Sequence, residues 1–236
     1  MALTNNTGDL CVETVGPEPA EIFRFPTFQE EIANSITHGI GLALSIAGLV
    51  FLVLYSSEYG TVWHVVGCSI YGGSLVALYG VSTLYHGLPH EPSKEILRVV
   101  DHVCIYLLIA GSYTPFTLTV LRVPWGWTLL GIVWALAIWG IVSKIVYADM
   151  IGAGSALPYL AMGWLGIIAA KPIADVLPLG GILWLVAGGL LYTIGVVFYT
   201  RDDRPFFHAV WHVFVLAASV CHYIAVMFYV VPSAVS

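Results

Sequence analysis

The sequence predicts an all-helical membrane protein, a bundle of seven transmembrane helices, and two observations support this fold class. The first is composition: of 236 residues, 59% are hydrophobic and 9% are charged, and the mean hydropathy is +0.89. A soluble domain carries about 25% charged residues, so lipid is the main solvent of this chain. The second observation is that its apolar stretches recur at the length that a membrane-spanning helix needs.

Seven stretches of about 20 mostly apolar residues can cross the hydrocarbon core of a bilayer as helices. They cover approximately residues 36–57, 62–86, 101–121, 125–147, 155–173, 180–200 and 207–231. The connections between them are short, so we expect one transmembrane domain over residues 36–231. A polar tail at 1–35 precedes it and a short tail at 232–236 follows it.

The polar tail is predicted to be partly flexible, because it is acidic and contains several prolines. It has no basic segment followed by an apolar run and a cleavage site, so we expect no cleaved signal peptide. Phenylalanines among glutamates at residues 23–34 favour a short amphipathic helix at the membrane interface.

Positive charges between the spans predict the orientation. With the N-terminus in the cytoplasm, the inner side holds most of the cations: Arg24, Lys94, Arg98, Lys144, Arg201 and Arg204. The outer side holds Arg122 and Lys171. The positive-inside rule favours this arrangement, and seven spans then place the C-terminus outside.

Net charge and cysteine usage exclude other classes of protein. The net charge is −6 with few cationic clusters, so nucleic acid is not an expected partner. The four cysteines are scattered without a CxxC motif, which indicates small buried apolar side chains rather than a disulfide framework. The expected partners are membrane lipids, and the oligomeric state stays open.

A pair of histidines, His208 and His212 in the segment HAVWH, opens the seventh apolar stretch. Residues i and i+4 lie on the same face of a helix, so both imidazoles can reach one metal ion. In the predicted topology His86 ends the second span and Asp101 begins the third, both at the inner side. Three separate elements therefore bring three histidines and a carboxylate to one leaflet.

These residue types suit a zinc ion, which in catalytic sites keeps three protein ligands and an open position for water. His86 can complete a three-histidine set with the pair, and imidazole-rich ligation favours zinc over magnesium or calcium. Asp101 could then accept a hydrogen bond from that water or act as a general base. Ser82, one turn before His86, could orient the water or a substrate carbonyl.

Each of these residues also has a simpler structural interpretation. The histidine pair can bond to lipid headgroups or carbonyls, Asp101 can be a helix N-cap, and Ser82 can bond to its own helix backbone. Convergence of ionisable groups at one depth favours function, because such groups are costly in a bilayer.

His222 lies about 15 Å deeper than His212, so we expect it to make a hydrogen bond within the bundle. His38 could lie near the site or cap its own helix.

Several motifs together resemble the hemolysin III branch of the progestin and adiponectin receptor family. They are ITHG at 36–39, STLYH at 82–86, DH at 101–102, AGSYTP at 110–115 and HAVWH at 208–212, together with His222. The resemblance covers nearly the whole chain from about residue 30 onward. The short tail, the short loops and the ITHG motif are similar to the bacterial branch rather than to eukaryotic receptors.

The resemblance implies a seven-helix fold in the plasma (inner) membrane, with a cytoplasmic N-terminus and a zinc ion near the inner leaflet. Carried over residue by residue, the zinc ligands are His86, His208 and His212. The carboxylate that holds the zinc-bound water is Asp101, and the nearby serine is Ser82.

The resemblance also implies three competing functions. The first is a zinc-dependent intramembrane hydrolase of a lipid amide, similar to a ceramidase, with a role in membrane lipid homeostasis and a lipid-like substrate that enters between helices. The second is a membrane receptor or regulator with structural zinc. The third is a haemolytic pore-forming protein, against which the uniformly apolar spans and the single polar cluster argue.

Overall fold

The computed structural model of the chain describes residues 26–88, 92–147 and 156–234. Within these ranges the chain consists of helices and short turns and contains no strand. Seven helical segments in the described part of the chain are long and apolar enough to cross a membrane, which confirms the predicted fold class. Most of the predicted N-terminal tail and the last two residues lie outside the described ranges. The orientation of the termini stays a prediction.

The spans follow one another along the chain with short connections. Their bounds are α1 Phe28–Tyr59, α2 Val62–Gly87, α3 Pro92–Leu118, α4 Trp127–Val146, α5 Ala156–Gly163, α6 Ala170–Val176, α7 Leu179–Tyr199 and α8 Phe207–Ala225. A 3₁₀ segment, Trp164–Ala169, joins α5 and α6 into the fifth span, and a π-helical segment, Val226–Val230, completes the seventh. Short connections make successive spans antiparallel.

Helix α1 begins at Phe28, well before the predicted start of the first span at residue 36. Thr27 and Glu30 form a capping box: the Glu30 backbone N–H donates to Thr27 Oγ1 at 3.4 Å, and the Thr27 backbone N–H donates to Glu30 Oε2 at 2.9 Å. This cap satisfies two backbone donors and fixes the helix start. The described part of the predicted interfacial helix is thus the first turns of α1.

Helix α3 also begins earlier than the sequence predicted, at Pro92 rather than at Asp101. Proline suits the first position of a helix, because its missing N–H has no intrahelical partner there. The polar residues before Asp101 continue the helix beyond the apolar stretch. Asp101 therefore lies inside α3, and the interpretation of Asp101 as a helix N-cap is wrong.

Helix α1 turns a mostly polar face towards the bundle interior, and large apolar side chains cover the outside of the bundle. The buried face of α1 is mostly polar or small: Glu30, Asn34, His38, Gly41, Ser45, Leu52 and Ser56. Large side chains such as Phe51, Leu54 and Trp139 are exposed. In water such an arrangement would be unfavourable, whereas lipid tails solvate these side chains and polar groups find partners inside the bundle.

The beginning of α8 is tied to the beginning of α1. The backbone N–H of Phe206 donates to Glu30 Oε1 at 2.7 Å, immediately before α8 begins. Phe206 adopts a left-handed conformation with φ 62°, which turns the chain sharply into the helix. Because the spans are antiparallel, the end of α2 and the first part of α3 meet these two helix starts on the same side of the bundle.

Candidate metal centre

Three histidine side chains converge at this end of the bundle. His86 comes from the last turn of α2, whereas His208 and His212 come from the first two turns of α8. Ring centroids lie 5.1 Å apart for His86 and His208, 5.0 Å for His86 and His212, and 4.7 Å for His208 and His212. One nitrogen from each ring lies within 4.8 Å of the other two, so the three side chains could hold a metal ion.

A carboxylate on α1 orients the His86 ring. Glu31 Oε2 lies 2.6 Å from His86 Nδ1, and Lys94 Nζ donates to Glu31 Oε1 at 2.6 Å. A carboxylate accepts hydrogen bonds, so the short contact assigns the proton to Nδ1 and leaves the lone pair on Nε2. His86 Nε2 is buried and has no hydrogen-bond partner. This is the arrangement in which a carboxylate supports a metal-binding histidine.

His212 is oriented in the same way by the backbone of α1. Its Nδ1 lies 3.3 Å from the carbonyl oxygen of Asn34, and a carbonyl oxygen can only accept. The proton is therefore on Nδ1, and Nε2 carries the lone pair that a metal needs. His212 is 1% exposed, so its ring is held in place by its neighbours rather than by solvent.

Asp101 and Ser82 lie beside the histidines, as the sequence predicted. Asp101 is buried in α3, where its carboxyl group interacts electrostatically with His86 and lies close to the Ser82 hydroxyl. Ser82 is fully buried, and its Oγ makes no hydrogen bond of good geometry. The structure brings all five predicted site residues together, and their roles stay predictions.

A fourth histidine, His38, stacks on the cluster. Its ring centroid lies 3.5 Å from that of His212, with the planes 13° apart, and the Tyr79 ring packs against it in a T-shaped contact. Both ring nitrogens of His38 are buried without hydrogen-bond partners. Of the two alternatives for His38, the structure therefore supports a position beside the site rather than a helix cap.

Three residues that surround the site were not predicted from the sequence: Glu31, Asn34 and Lys94. Asn34 follows Glu31 by three residues and precedes His38 by four, and this spacing places all three on one helix face. This spacing could have revealed them, but the predicted span began after Asn34. Lys94 fell in a predicted loop.

A cavity of about 320 Å³ extends from the histidines into the bundle. At one end its wall includes Asp101, His208 and His212, but not Ser82. Most of its remaining wall is apolar, contributed by α3, by the fifth span and by α7 and α8, and it reaches His222. An apolar cavity with a few polar groups at one end is typical of a site for a lipid-like molecule.

The residues present fit a zinc ion. Three imidazoles from two helices supply the donor set of a catalytic zinc site, and two of their tautomers present Nε2. The buried, unpartnered Nε2 of His86 is costly unless a cation or a hydrogen-bond donor satisfies it. Within the described ranges, no second group of three such ligands lies this close together.

Comparison with known proteins agrees with these observations. The model of the family described as haemolysin-III related matches residues 26–223. "Hemolysin-3" of Bacillus cereus is 48% identical over 206 residues, which cover 87% of this chain and 94% of the relative. "Hemolysin-3 homolog" of Bacillus subtilis (strain 168) is 49% identical over 205 residues, 87% and 96% of the two chains. "Monocyte to macrophage differentiation factor" of Homo sapiens is 32% identical over 212 residues, 86% of each.

Proposed function

Because this chain belongs to the haemolysin-III-related branch of the progestin and adiponectin receptor family and is a multi-pass protein of the plasma membrane, we propose that it is a zinc-dependent intramembrane hydrolase of a lipid amide. The observation that carries the proposal is the cavity, whose wall combines His208, His212 and Asp101 at one end with a long apolar remainder. A purely structural metal needs no such space beside it.

The residues around the cavity supply the acid–base chemistry of amide hydrolysis. The reaction adds the oxygen of water to the acyl carbon and breaks the carbon–nitrogen bond, and the nitrogen must gain a proton. Zinc, when bound, polarises the carbonyl and lowers the pKa of water. Asp101 is the carboxylate in the cavity wall, so it is placed to take a proton from the attacking water and return it to the leaving amine.

Ser82 supports this chemistry from behind the cavity wall. Its buried hydroxyl lies close to the Asp101 carboxyl group, so we assign it to positioning Asp101 rather than to contact with substrate. The apolar remainder of the cavity would hold the acyl chain. A lipid of the surrounding bilayer is the substrate class that fits, because the cavity lies within the transmembrane helices.

A structural role for the metal is the second candidate, and one observation favours it. Glu31 and Asn34 connect α1 to His86 and His212, so these contacts, together with a zinc ion held by the histidines, would clamp α1, α2 and α8. The protein would then be a receptor or regulator of the membrane. Zinc removal should in that case unfold the bundle, and no lipid should be turned over.

The test compares wild type with His212→Ala in three measurements: bound zinc, thermal unfolding in detergent and hydrolysis of a ceramide-like amide. We expect about one zinc per wild-type chain. The variant should lose the zinc and the turnover while remaining folded. His64→Gln is the matched control, because His64 caps the other end of α2, away from the cluster. Turnover that persists in His212→Ala or after chelation would refute a zinc hydrolase, as would a wild-type preparation without zinc.

A further inference from the structure

The cavity has a second polar site, formed by Tyr192 and His222, far from the metal centre. Tyr192 on α7 and His222 on α8 both contribute to its wall, and their rings lie 5.6 Å apart at a steep angle. His222 follows His212 by ten residues, or about 15 Å along the helix axis. The metal centre and this second polar site are therefore separated by much of the depth of the bundle, and the cavity wall between them is apolar.

The hydrogen bonding of His222 leaves one ring nitrogen as an unused acceptor. His222 Nε2 lies 3.3 Å from the carbonyl oxygen of Leu185, and since that oxygen only accepts, Nε2 carries the proton. Nδ1 is then a lone-pair acceptor, and it makes no hydrogen bond with the described residues. Gly188 allows the His222 ring to approach α7 this closely, because a Cβ at that position would overlap the Cδ2–Nε2 edge of the ring.

The neighbouring hydroxyl cluster can offer one donor to the cavity. Tyr79 donates to Ser219 Oγ at 2.9 Å, and Ser219 Oγ lies 2.9 Å from the Tyr192 hydroxyl. Tyr79 also lies 3.4 Å from the Val215 carbonyl, a longer contact. Three hydroxyl protons thus share two short contacts. Either hydroxyl can be the donor in the contact between Ser219 and Tyr192, and when Ser219 donates, the Tyr192 proton is available at the cavity wall.

Three other polar groups in the part of the cavity wall away from the histidine cluster already have hydrogen-bond partners. The Ser112 hydroxyl donates to the Ile109 carbonyl at 2.8 Å, the Tyr113 hydroxyl donates to the Gly163 carbonyl at 2.6 Å, and Trp164 Nε1 donates to Thr193 Oγ1 at 3.0 Å. Tyr192 and His222 therefore stand out as an adjacent donor and acceptor.

We propose that Tyr192 and His222 form a binding site for a hydroxyl group on the chain of the lipid that occupies the cavity. A hydroxyl both accepts and donates one hydrogen bond, so it complements a tyrosine O–H and an imidazole nitrogen side by side. A plain acyl chain would leave both groups unpaired. The inference rests on the proposed function, in that the reactive end of the same lipid lies at the metal centre.

The experiment measures equilibrium binding of stearic acid and of 12-hydroxystearic acid to the purified, zinc-loaded protein. With the carboxylate at the metal and the chain extended, the hydroxyl reaches the second polar site, at a separation of about 15 Å. Wild type should bind the hydroxy acid about three- to tenfold more tightly, as expected for one or two neutral hydrogen bonds. His222→Phe and Tyr192→Phe should each abolish this preference and retain affinity for stearic acid.

Ser112→Ala is the matched control, because Ser112 contributes to the same wall with a satisfied hydroxyl and should keep the preference. Equal affinity of wild type for the two acids would overturn the inference and indicate that water alone occupies the second polar site. A preference that persists in both phenylalanine variants would overturn it as well. Thermal unfolding of each variant identifies loss of fold, and either phenylalanine variant suffices for the test. Binding without amide turnover would refute the hydrolase and leave this inference intact.

Discussion

At the scale of single residues, the chemistry of this site depends on which nitrogen of each histidine carries the proton. The pair His208 and His212 can be read from its spacing along one helix. The tautomers of His86 and His212 cannot, because they are set by Glu31 and the Asn34 carbonyl on a different helix. The same is true of His38, which the sequence left between two interpretations until its ring was found stacked on His212.

The first prediction concerns Glu31, whose carboxylate supports His86. Glu31→Gln removes the charge-assisted hydrogen bond that holds the Nδ1 proton and the ring orientation, so zinc affinity should fall by about 10- to 100-fold. Competition with a chromophoric chelator measures this affinity without reference to turnover. Glu58→Gln is the control, since Glu58 is exposed near the end of the same helix. Unchanged zinc affinity in Glu31→Gln would contradict the support of His86 by this carboxylate.

The second prediction concerns Asp101. Asp101→Asn keeps the shape of the side chain but cannot take up a proton, so amide turnover should fall by about 100-fold or more, the usual contribution of a general acid–base group. Bound zinc should stay at the wild-type level, because Asp101 is not among the three ligands. Metal analysis and initial rates on the same preparation separate the two effects. Turnover near wild type would remove Asp101 from the acid–base role.

At the scale of elements, the apolar stretches were predicted well, but the starts of α1 and α3 were not. Hydropathy detects the part of a helix that lies in hydrocarbon, and α2, α4 and α7 are hardly longer than that part. Helices α1 and α3 extend past it on polar residues that the sequence analysis assigned to a tail and a loop. Polarity alone does not distinguish a loop from a helix that projects into water or headgroups. The capping box at Thr27 and Glu30 was the local signal for the start of α1.

The third prediction tests how closely α3 and α4 pack. A Cβ at Gly140 would overlap the ring of Tyr106, which is buried, whereas a Cβ at Gly131 on the same helix would meet nothing within 4 Å. Gly140→Ala should lower the free energy of unfolding by about 1–3 kcal/mol through overpacking. Gly131→Ala should be neutral or stabilising by up to about 1 kcal/mol, because alanine is the better helix former. Thermal or denaturant unfolding in detergent measures both. Equal stability of the two variants would contradict the close approach.

At the scale of the whole molecule, the bundle gathers its polar groups at one end and lines a cavity from there towards His222. The interior combines an apolar core with buried polar groups, while large apolar side chains also cover the surface that faces lipid, unlike the surface of a soluble protein. Because buried polar groups in lipid must find partners within the protein, α1 becomes a scaffold for the histidine cluster rather than a simple anchor. The orientation of this whole assembly follows from charge bias alone and stays a prediction.

The fourth prediction is that the metal end of the bundle faces the cytoplasm. In a background without native cysteines, Lys171→Cys should react with a membrane-impermeant maleimide in intact cells, whereas Arg201→Cys should react only after the membrane is permeabilised. Both positions are exposed, so the contrast reports the side of the membrane rather than burial. The opposite pattern of labelling would invert the topology and place the metal centre outside.

The sequence by itself determined that the chain lies in lipid, how many spans it has and that two histidines share a helix face. These properties follow from composition and from spacing along a single helix. It also brought His86, Asp101 and Ser82 to the same depth through a topology that needs no side-chain detail. The tertiary structure alone decided what surrounds them: Glu31 and Lys94 behind His86, His38 on His212, and the cavity that leads to Tyr192 and His222. These are contacts between residues far apart in the chain, and they depend on helix rotation and packing, which no local pattern encodes.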